Sequence, residues 1–262
     1  MSLSRLSPAP VEGGSRLVCF HHVGGDRNSF QIVSKHFLGN KKCEVFAVAY
    51  PGRSKTDAPP LTRLEDIVEL IYGSMMAMGG DDFWGARPLS FFGHSLGGMV
   101  AFEVARRLQV RNPAIKLSQL VVSAIKSPQS LTQVNVVMAA TKTAHHAEGD
   151  DDVIRHIQSI GGLPPGLSDS FIKIKLPMIR SDFEAFEQYR FDDNVLAPRL
   201  TCSITAFGGA KDPVVSEADM LSWMLHTTAE FHHVAFQNGS HFYFGEEGCR
   251  REFLDQLLQR VA

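Results

Sequence analysis

The sequence predicts an α/β protein with a mostly parallel central sheet. Short apolar runs rich in β-branched and aromatic residues alternate with longer stretches of helical periodicity, which is typical of βαβ units. The predicted strands are 16–22, 43–49, 88–93, 117–123, 201–207 and 230–236. The clearest helical periodicity covers 62–76, 96–108, 217–225 and 246–261.

The alternation is interrupted once, which predicts a single domain with an insertion. We expect residues 1–262 to form one domain, with a core of about 16–126 and 200–262. The interruption, at about 127–199, is helical in character and includes a helix start at Gly149 followed by three aspartates. An insertion between late strands lies over the carboxyl edge of the sheet, where ligands bind. We therefore predict a helical lid; a purely structural appendage is the alternative.

Composition excludes several classes of function. A net charge of −2 with no basic stripe argues against a nucleic-acid partner. No apolar run reaches the length of a membrane span, and the first ten residues lack the core of a signal peptide. The four cysteines are scattered with no CxxC pair, which favours reduced thiols and a cytoplasmic location. Without a metal-binding motif we predict no metal, and we take a monomer as the default.

The strongest local motif is G-x-S-x-G, formed by Gly93, Ser95 and Gly97. It follows a predicted strand and begins a periodic helix, which is the context that a nucleophile elbow requires. A serine on such a strained turn tolerates only glycine two residues to either side. The motif therefore predicts Ser95 as a catalytic nucleophile; the alternative is a glycine-rich turn without catalysis.

Chain order selects the base and the acid, because a serine nucleophile of this type is followed by the acid and then the histidine. His241 comes directly after the last predicted strand, and Asp212 lies on the loop after the preceding one. A carboxylate there can accept the second N–H of the histidine and fix its tautomer. The competing groups lie elsewhere on the elbow, in the insertion, or inside a strand or helix: His94, Asp192, Asp193, Asp219, His232 and His233.

Acyl transfer also needs donors for the oxyanion that develops on the carbonyl oxygen. We expect one to be the backbone N–H of Leu96, directly after the nucleophile. The second should come from the glycine-containing loop after the first predicted strand, where we select the backbone N–H of Val23.

The motifs together resemble those of type II thioesterases, α/β-hydrolases that serve polyketide and nonribosomal peptide synthases. The matching segments are 19–25, 50–53, 92–98 with 100–108, 163–165, 180–183, 207–213 and 239–242. They follow one another in the family order along nearly the whole chain. One residue and one segment depart from the family. His21 stands where proline is usual, and residues 135–152 match no family pattern.

The resemblance implies a Ser95–His241–Asp212 triad with oxyanion donors at Leu96 and Val23. It also implies hydrolysis of acyl groups held by phosphopantetheine on an acyl or peptidyl carrier protein or synthase, or on coenzyme A. The enzyme would need no cofactor, and it would edit or release intermediates of polyketide, nonribosomal peptide or fatty acid synthesis. Basic residues of the insertion could meet an acidic carrier surface: Lys173, Lys175 and Arg180.

Two other functions remain compatible with these residues. A carboxylester hydrolase would use the same triad on oxygen esters. An inactive hydrolase-fold protein would bind carriers or acyl ligands without turnover.

Overall fold

A seven-stranded sheet forms the centre of the described part of the chain. The computed structural model describes residues 2–7, 13–38, 43–53, 58–162, 169–192, 194 and 199–261. The strands are β1 Leu3–Arg5, β2 Ser15–Phe20, β3 Cys43–Val48, β4 Leu89–His94, β5 Leu117–Ser123, β6 Ser203–Gly209 and β7 Phe231–Phe236. Their order is β1-β3-β2-β4-β5-β6-β7, with β1 antiparallel to β3 and all other pairs parallel. The predicted α/β class is confirmed.

The strands are apolar because both faces of the sheet are covered. Every residue of β2, β3 and β4 is buried, as expected for parallel strands between two helical layers. The six predicted strands are all present with small shifts at their ends. The sequence did not predict β1, because three residues on an antiparallel edge are too short to show a period.

Helices cover both faces of the sheet, and a further group of helices lies between β5 and β6 in the chain. They are α1 Gln31–Leu38, α2 Leu64–Ala77, α3 Gly80–Trp84, α4 Leu96–Arg111, α5 Pro128–Thr141, α6 Asp150–Ser159, α7 Asp169–Glu187, α8 Glu217–Leu221 and α9 Glu247–Val261. Apolar residues of α2 and α4 pack on one face, and those of α1 and α9 on the other. The helix predicted over 217–225 is divided, because α8 ends at Leu221 and a 3₁₀ helix, Ser222–His226, follows it.

The segment between β5 and β6 contains α5, α6 and α7, which we call the insertion. Its helix α6 begins after Gly149 with three aspartates in the first turn, as the sequence predicted. The sequence predicts two helical stretches here, over 171–179 and 182–189, but the structure has one continuous helix, α7, which includes Pro177. The family segment 163–165 lies outside the described residues.

Two of the sequence predictions concern the cysteines, expected to be reduced, and the absence of a membrane span. Cys19, Cys43, Cys202 and Cys249 are all free and buried. None of the helices in the described ranges combines the length and the apolarity that crossing a bilayer demands.

A buried carboxylate holds part of the insertion together. Glu187, whose side chain is 4% exposed, accepts hydrogen bonds from the ring Nδ1 atoms of His145 at 2.7 Å and His146 at 2.6 Å. The backbone N–H groups of the same two residues donate to it at 2.8 and 3.2 Å. Burial opposes the ionisation of Glu187, but these hydrogen bonds outweigh it and lower its pKa. The bond to Glu187 raises the pKa of His145 despite partial burial.

Replacing Glu187 with Gln should reduce both stability and its dependence on pH. The raised pKa of His145 means that the ion pair contributes fully below the unfolded value of 6.5 and is lost as pH rises through the folded value. At a pH just below 6.5, Glu187→Gln should lower the free energy of unfolding by about 1–3 kcal/mol. The difference from wild type should shrink at alkaline pH. Urea denaturation at several pH values measures both effects.

Glu184→Gln is the matched control, since Glu184 lies on the same helix and bonds only to exposed Gln188 among the contacts seen. Equal pH profiles for wild type and Glu187→Gln would show that this ion pair does not contribute to stability.

Candidate active site

Ser95 lies on a sharp turn between β4 and α4 with φ 53° and ψ −126°. Its N–H donates to the carbonyl of Ser123 at 2.8 Å, and its own carbonyl accepts from the N–H of Gly98 at 2.8 Å. Ser95 is partly exposed between buried neighbours. The turn thus has the strained, outward-facing geometry of a nucleophile elbow.

The glycines of the motif are required by backbone contacts. A Cβ at Gly93 would lie 2.2 Å from the carbonyl oxygen of Gly97, and a Cβ at Gly97 would lie 2.1 Å from that of Phe20. Both distances are far inside van der Waals contact. The turn therefore packs directly on the end of β2, and any side chain at these positions would displace it.

His241 and Asp212 form a buried hydrogen-bonded pair. His241 Nδ1 lies 2.8 Å from Asp212 Oδ2, and the two side chains are 4% and 1% exposed. The other carboxylate oxygen, Oδ1, accepts the backbone N–H groups of Val214 at 2.8 Å and Val215 at 3.1 Å. These donors orient Asp212 toward the histidine. When His241 donates Nδ1–H to Asp212, its Nε2 is left as a base.

The loops carrying this pair are held against each other. A Cβ at Gly209 would lie 2.2 Å from the carbonyl oxygen of Ser240, so the loops after β6 and β7 are in contact. Glu246 accepts the backbone N–H of Ser240 at 3.1 Å and also its hydroxyl. No sequence motif marks Glu246, because an acid directly before a helix is common.

Ser95, His241 and Val23 line one cavity of about 210 Å³. Most of its wall is apolar and comes from the insertion, including Leu131, Val134, Met138, Ile157, Ile160, Phe183 and Phe186. Asp212 lies behind His241, and Leu96 is the buried first residue of α4. Three of the predicted site residues therefore line one largely apolar cavity, and Asp212 is joined to it through its hydrogen bond with His241.

The loop after β2 lies beside the elbow, as the oxyanion prediction requires. The position of a Cβ on Gly97 is 2.1 Å from the Phe20 carbonyl oxygen and 2.7 Å from that of His21. This contact joins the chain just before Val23 to the first turn of α4, which carries Leu96.

His21, the departure from the family's proline, is fully buried and fixed at both ring nitrogens. Its Nε2 accepts the N–H of Tyr50 at 3.3 Å, so Nδ1 carries the hydrogen and donates to the carbonyl of His22 at 2.9 Å. The hydroxyl of Tyr50 donates to the His21 carbonyl at 3.1 Å. Burial lowers the pKa of His21 well below its usual value. A neutral imidazole here restrains the loop by hydrogen bonds, where proline would restrain it by its ring.

Two more neutral histidines surround the catalytic candidate. His94 donates to or accepts from Ser123 Oγ at 2.8 Å, and its ring centroid is 5.3 Å from that of His241. Burial lowers the pKa of His94 well below the usual value and that of His22 to about 4. His94 is thus a buried, neutral ring that is hydrogen-bonded to β5 through Ser123.

The competing residues have other partners. Asp219 accepts Lys126 Nζ at 2.7 Å and caps α8, while Asp192 accepts the N–H of Asn194 at 2.8 Å. Asp193 lies outside the described residues. On β7, His232 lies 3.4 Å from Glu230 and His233 lies 3.7 Å from Glu217. Within the described ranges, no cluster of three His, Cys, Asp or Glu side chains could hold a metal ion.

A second cavity of about 710 Å³ adjoins the first. Four residues line both of them: His22, Val23, Ile157 and Phe242. The larger cavity has more polar walls, including Asn28, Ser29, Lys175 and Ser240. Two cavities of different polarity therefore meet beside the loop after β2, which we call the oxyanion loop because it contains Val23, the predicted second donor.

Comparison with known proteins agrees with this geometry. Residues 15–260 match the thioesterase domain family. The chain is 31% identical over 247 residues to thioesterase PikA5 of Streptomyces venezuelae, covering 94% of this chain and 80% of that protein. It is 30% identical over 250 residues to the gramicidin S biosynthesis protein GrsT of Aneurinibacillus migulanus, covering 94% and 90%.

Among solved structures, the type II thioesterase BorB from the borrelidin biosynthetic cluster superposes with a TM-score of 0.81. That match has 27% identity and covers 100% of this chain and 98% of the other. The chain belongs to the thioesterase family, as its motifs indicated.

Proposed function

We propose that this thioesterase hydrolyses acyl groups held by phosphopantetheine on a carrier protein of polyketide or nonribosomal peptide synthesis. The proposal rests on the buried His241–Asp212 pair, because His241 lines the same apolar cavity as Ser95. An apolar chamber suits an acyl chain. The family resemblance supports the thioester as the bond that is cleaved.

The chemistry follows from the roles of the three side chains. His241 Nε2 takes the proton of Ser95 as Oγ attacks the thioester carbonyl carbon, and the backbone N–H groups of Leu96 and Val23 stabilise the oxyanion. When the carbon–sulfur bond breaks, His241 returns the proton to the leaving thiolate. Water, deprotonated by His241, then attacks the acyl-serine ester, releasing the carboxylic acid and restoring Ser95.

The two cavities suggest how the substrate lies. We place the acyl chain in the apolar cavity with Ser95 and the pantetheine arm, with its amides, in the larger and more polar one. The insertion supplies walls to both cavities, which supports its role as a lid.

The insertion also presents charge to a carrier. Lys173 is exposed on α7, and Lys175 lines the larger cavity. Arg180, which the sequence placed with them, donates to the His146 carbonyl at 2.9 Å and to Asp150 Oδ1 at 2.7 Å. We therefore assign the carrier contact to the exposed Lys173, and a role within the insertion to Arg180.

Ser95→Ala should abolish hydrolysis, because no other group replaces the attacking oxygen. Acyl-coenzyme A and acyl-carrier thioesters should be measured beside matched oxygen esters, and a fluorophosphonate probe should label wild type but not the variant. Ser159→Ala, at an exposed serine on α6, is the control. Preference for oxygen esters would instead identify a carboxylester hydrolase. Failure of wild type to react with the probe would identify a protein that binds without turnover.

Asp212→Asn should lower kcat by about 10⁴-fold, because the amide cannot hold His241 in the tautomer that leaves Nε2 free. The variant should fold, since the amide oxygen can still accept from Val214 and Val215. Single-turnover kinetics with an acyl-coenzyme A measures the acylation rate directly. Asp219→Asn is the matched control, and an equal loss there would move the assignment of the acid away from Asp212.

Lys173→Glu should raise KM for an acyl-carrier substrate by about tenfold, because like charges slow the encounter with an acidic carrier. The same acyl group on N-acetylcysteamine should be hydrolysed at the wild-type rate. Lys116→Glu serves as the control, since Lys116 precedes β5 and lies at the opposite edge of the sheet from Ser95. Equal effects on both substrates would contradict carrier docking at Lys173.

A further inference from the structure

A buried ion pair joins the insertion to the core directly beside the oxyanion loop. Arg53 donates through an Nη2–H to Asp182 Oδ2 at 2.6 Å, and the two side chains are 6% and 1% exposed. Asp182 belongs to α7, whereas Arg53 follows β3. The contact thus spans the boundary between the insertion and the sheet.

The same carboxylate oxygen also holds the oxyanion loop. The backbone N–H of Gly24 donates to Asp182 Oδ2 at 2.8 Å. Arg53 holds the loop one residue later, because its Nε–H donates to the carbonyl of Gly25 at 3.1 Å. Gly24 directly follows Val23, the proposed second oxyanion donor. The chain immediately after the donor is therefore held by one side chain from the insertion and one from the core.

Packing reinforces the contact. Gly24 has φ 74°, and a Cβ there would lie 3.2 Å from Ile179 Cγ1, so α7 lies directly on the loop. Val23 packs against the apolar cluster of the insertion. Movement of α7 away from the core would remove the hydrogen bond to Gly24 and the packing around Val23 together.

Burial makes this ion pair costly to form. Burial raises the pKa of Asp182, and Arg53 and the Gly24 N–H oppose that effect without cancelling it. Buried ion pairs often contribute no more stability than apolar side chains of similar volume would. A charged pair at this place is better explained by the geometry that it imposes on the loop.

We propose that Asp182 is a positioning residue for the oxyanion hole, which is complete only while α7 is docked on the loop. Closure of the insertion over an acyl chain would thereby assemble the second oxyanion donor, so that thioester cleavage is coupled to the closed state. This inference rests on the proposed function, because it takes Val23 as the donor. It adds to that function a side chain outside the triad that sets the rate of acylation.

The test compares Asp182→Ala with Arg180→Ala, two residues apart on α7. Asp182→Ala removes the contact to the loop, whereas Arg180→Ala removes an ion pair inside the insertion. A donor displaced by about 1 Å can cost on the order of 10²-fold in rate. We expect Asp182→Ala to lower kcat by about that factor with little change in KM, and Arg180→Ala to keep the wild-type kcat.

A second measurement separates positioning from loosening of the fold. A trifluoromethyl ketone analogue of the acyl thioester forms a tetrahedral adduct with Ser95 and needs the oxyanion hole, whereas a non-hydrolysable thioether analogue needs only the cavities. Asp182→Ala should weaken binding of the ketone in proportion to its loss of kcat, and should leave binding of the thioether unchanged. Equal weakening of both would show a general structural role and overturn the proposal.

Variants with smaller changes keep the test valid if Asp182→Ala does not fold. Asp182→Asn keeps the shape and an oxygen for Gly24, and Arg53→Lys keeps the charge beside Asp182 but lacks the rigid contact to Gly25. Both should give kcat values between those of wild type and Asp182→Ala, with thermal denaturation as the check on folding. Wild-type kcat and ketone affinity in folded Asp182→Asn and Arg53→Lys would overturn the inference. Ser95→Ala in the same assay tests the proposed function independently: activity that survives there refutes the nucleophile, whatever Asp182 does.

Discussion

Ser95 occupies a backbone conformation that costs a residue other than glycine about 1–3 kcal/mol, and contacts from three directions hold it there. Its N–H is bound to β5 through Ser123, and its carbonyl begins α4. The missing side chain of Gly97 lets the same turn rest on the end of β2. Because β4 is paired with both β2 and β5, the sheet itself fixes the position of the nucleophile.

The rest of the site is arranged around this turn by contacts between loops at the same edge of the sheet. The loops after β6 and β7 bring Asp212 to His241, and close backbone approaches leave these loops little freedom. The loop after β2 is held differently, by hydrogen bonds that His21 and Arg53 donate to its carbonyls and that Asp182 accepts from the N–H of Gly24. The proposed triad therefore depends on core elements, whereas the proposed oxyanion donor at Val23 depends partly on the insertion.

The sequence predicted what local patterns encode. Parallel strands buried on both faces give continuous apolar runs, and the elbow needs glycines at fixed spacing, so the sheet and Ser95 were both identifiable. Chain order then selected His241 and Asp212, and the structure pairs them at 2.8 Å. Their catalytic roles, and those of Leu96 and Val23, stay predictions until they are tested by substitution.

The sequence could not predict contacts that depend on distant residues. Asp182 and Gly24 are 158 positions apart, and neither carries a pattern that indicates the other. The four hydrogen bonds that Glu187 accepts were equally unpredictable, because nothing in the pattern of His145 and His146 indicates a buried acid some 40 residues later. The continuity of α7 was also missed, because the two stretches predicted over 171–179 and 182–189 are joined through Arg180 and Ser181 into one helix that packs on the apolar cluster of the insertion.

The wall shared by the two cavities couples the proposed selectivity for the acyl chain to the proposed path of the pantetheine arm. Ile157 and Phe242 face the acyl chamber on one side and the proposed pantetheine chamber on the other. A smaller residue at either position would enlarge the space for the acyl chain and at the same time alter the path of the arm. A lineage that adapts this wall to a new acyl group must therefore adjust its recognition of the carrier in the same step. Leu131 and Met138 of α5 line the smaller cavity and not the larger one, so substitutions there would alter the proposed acyl site alone.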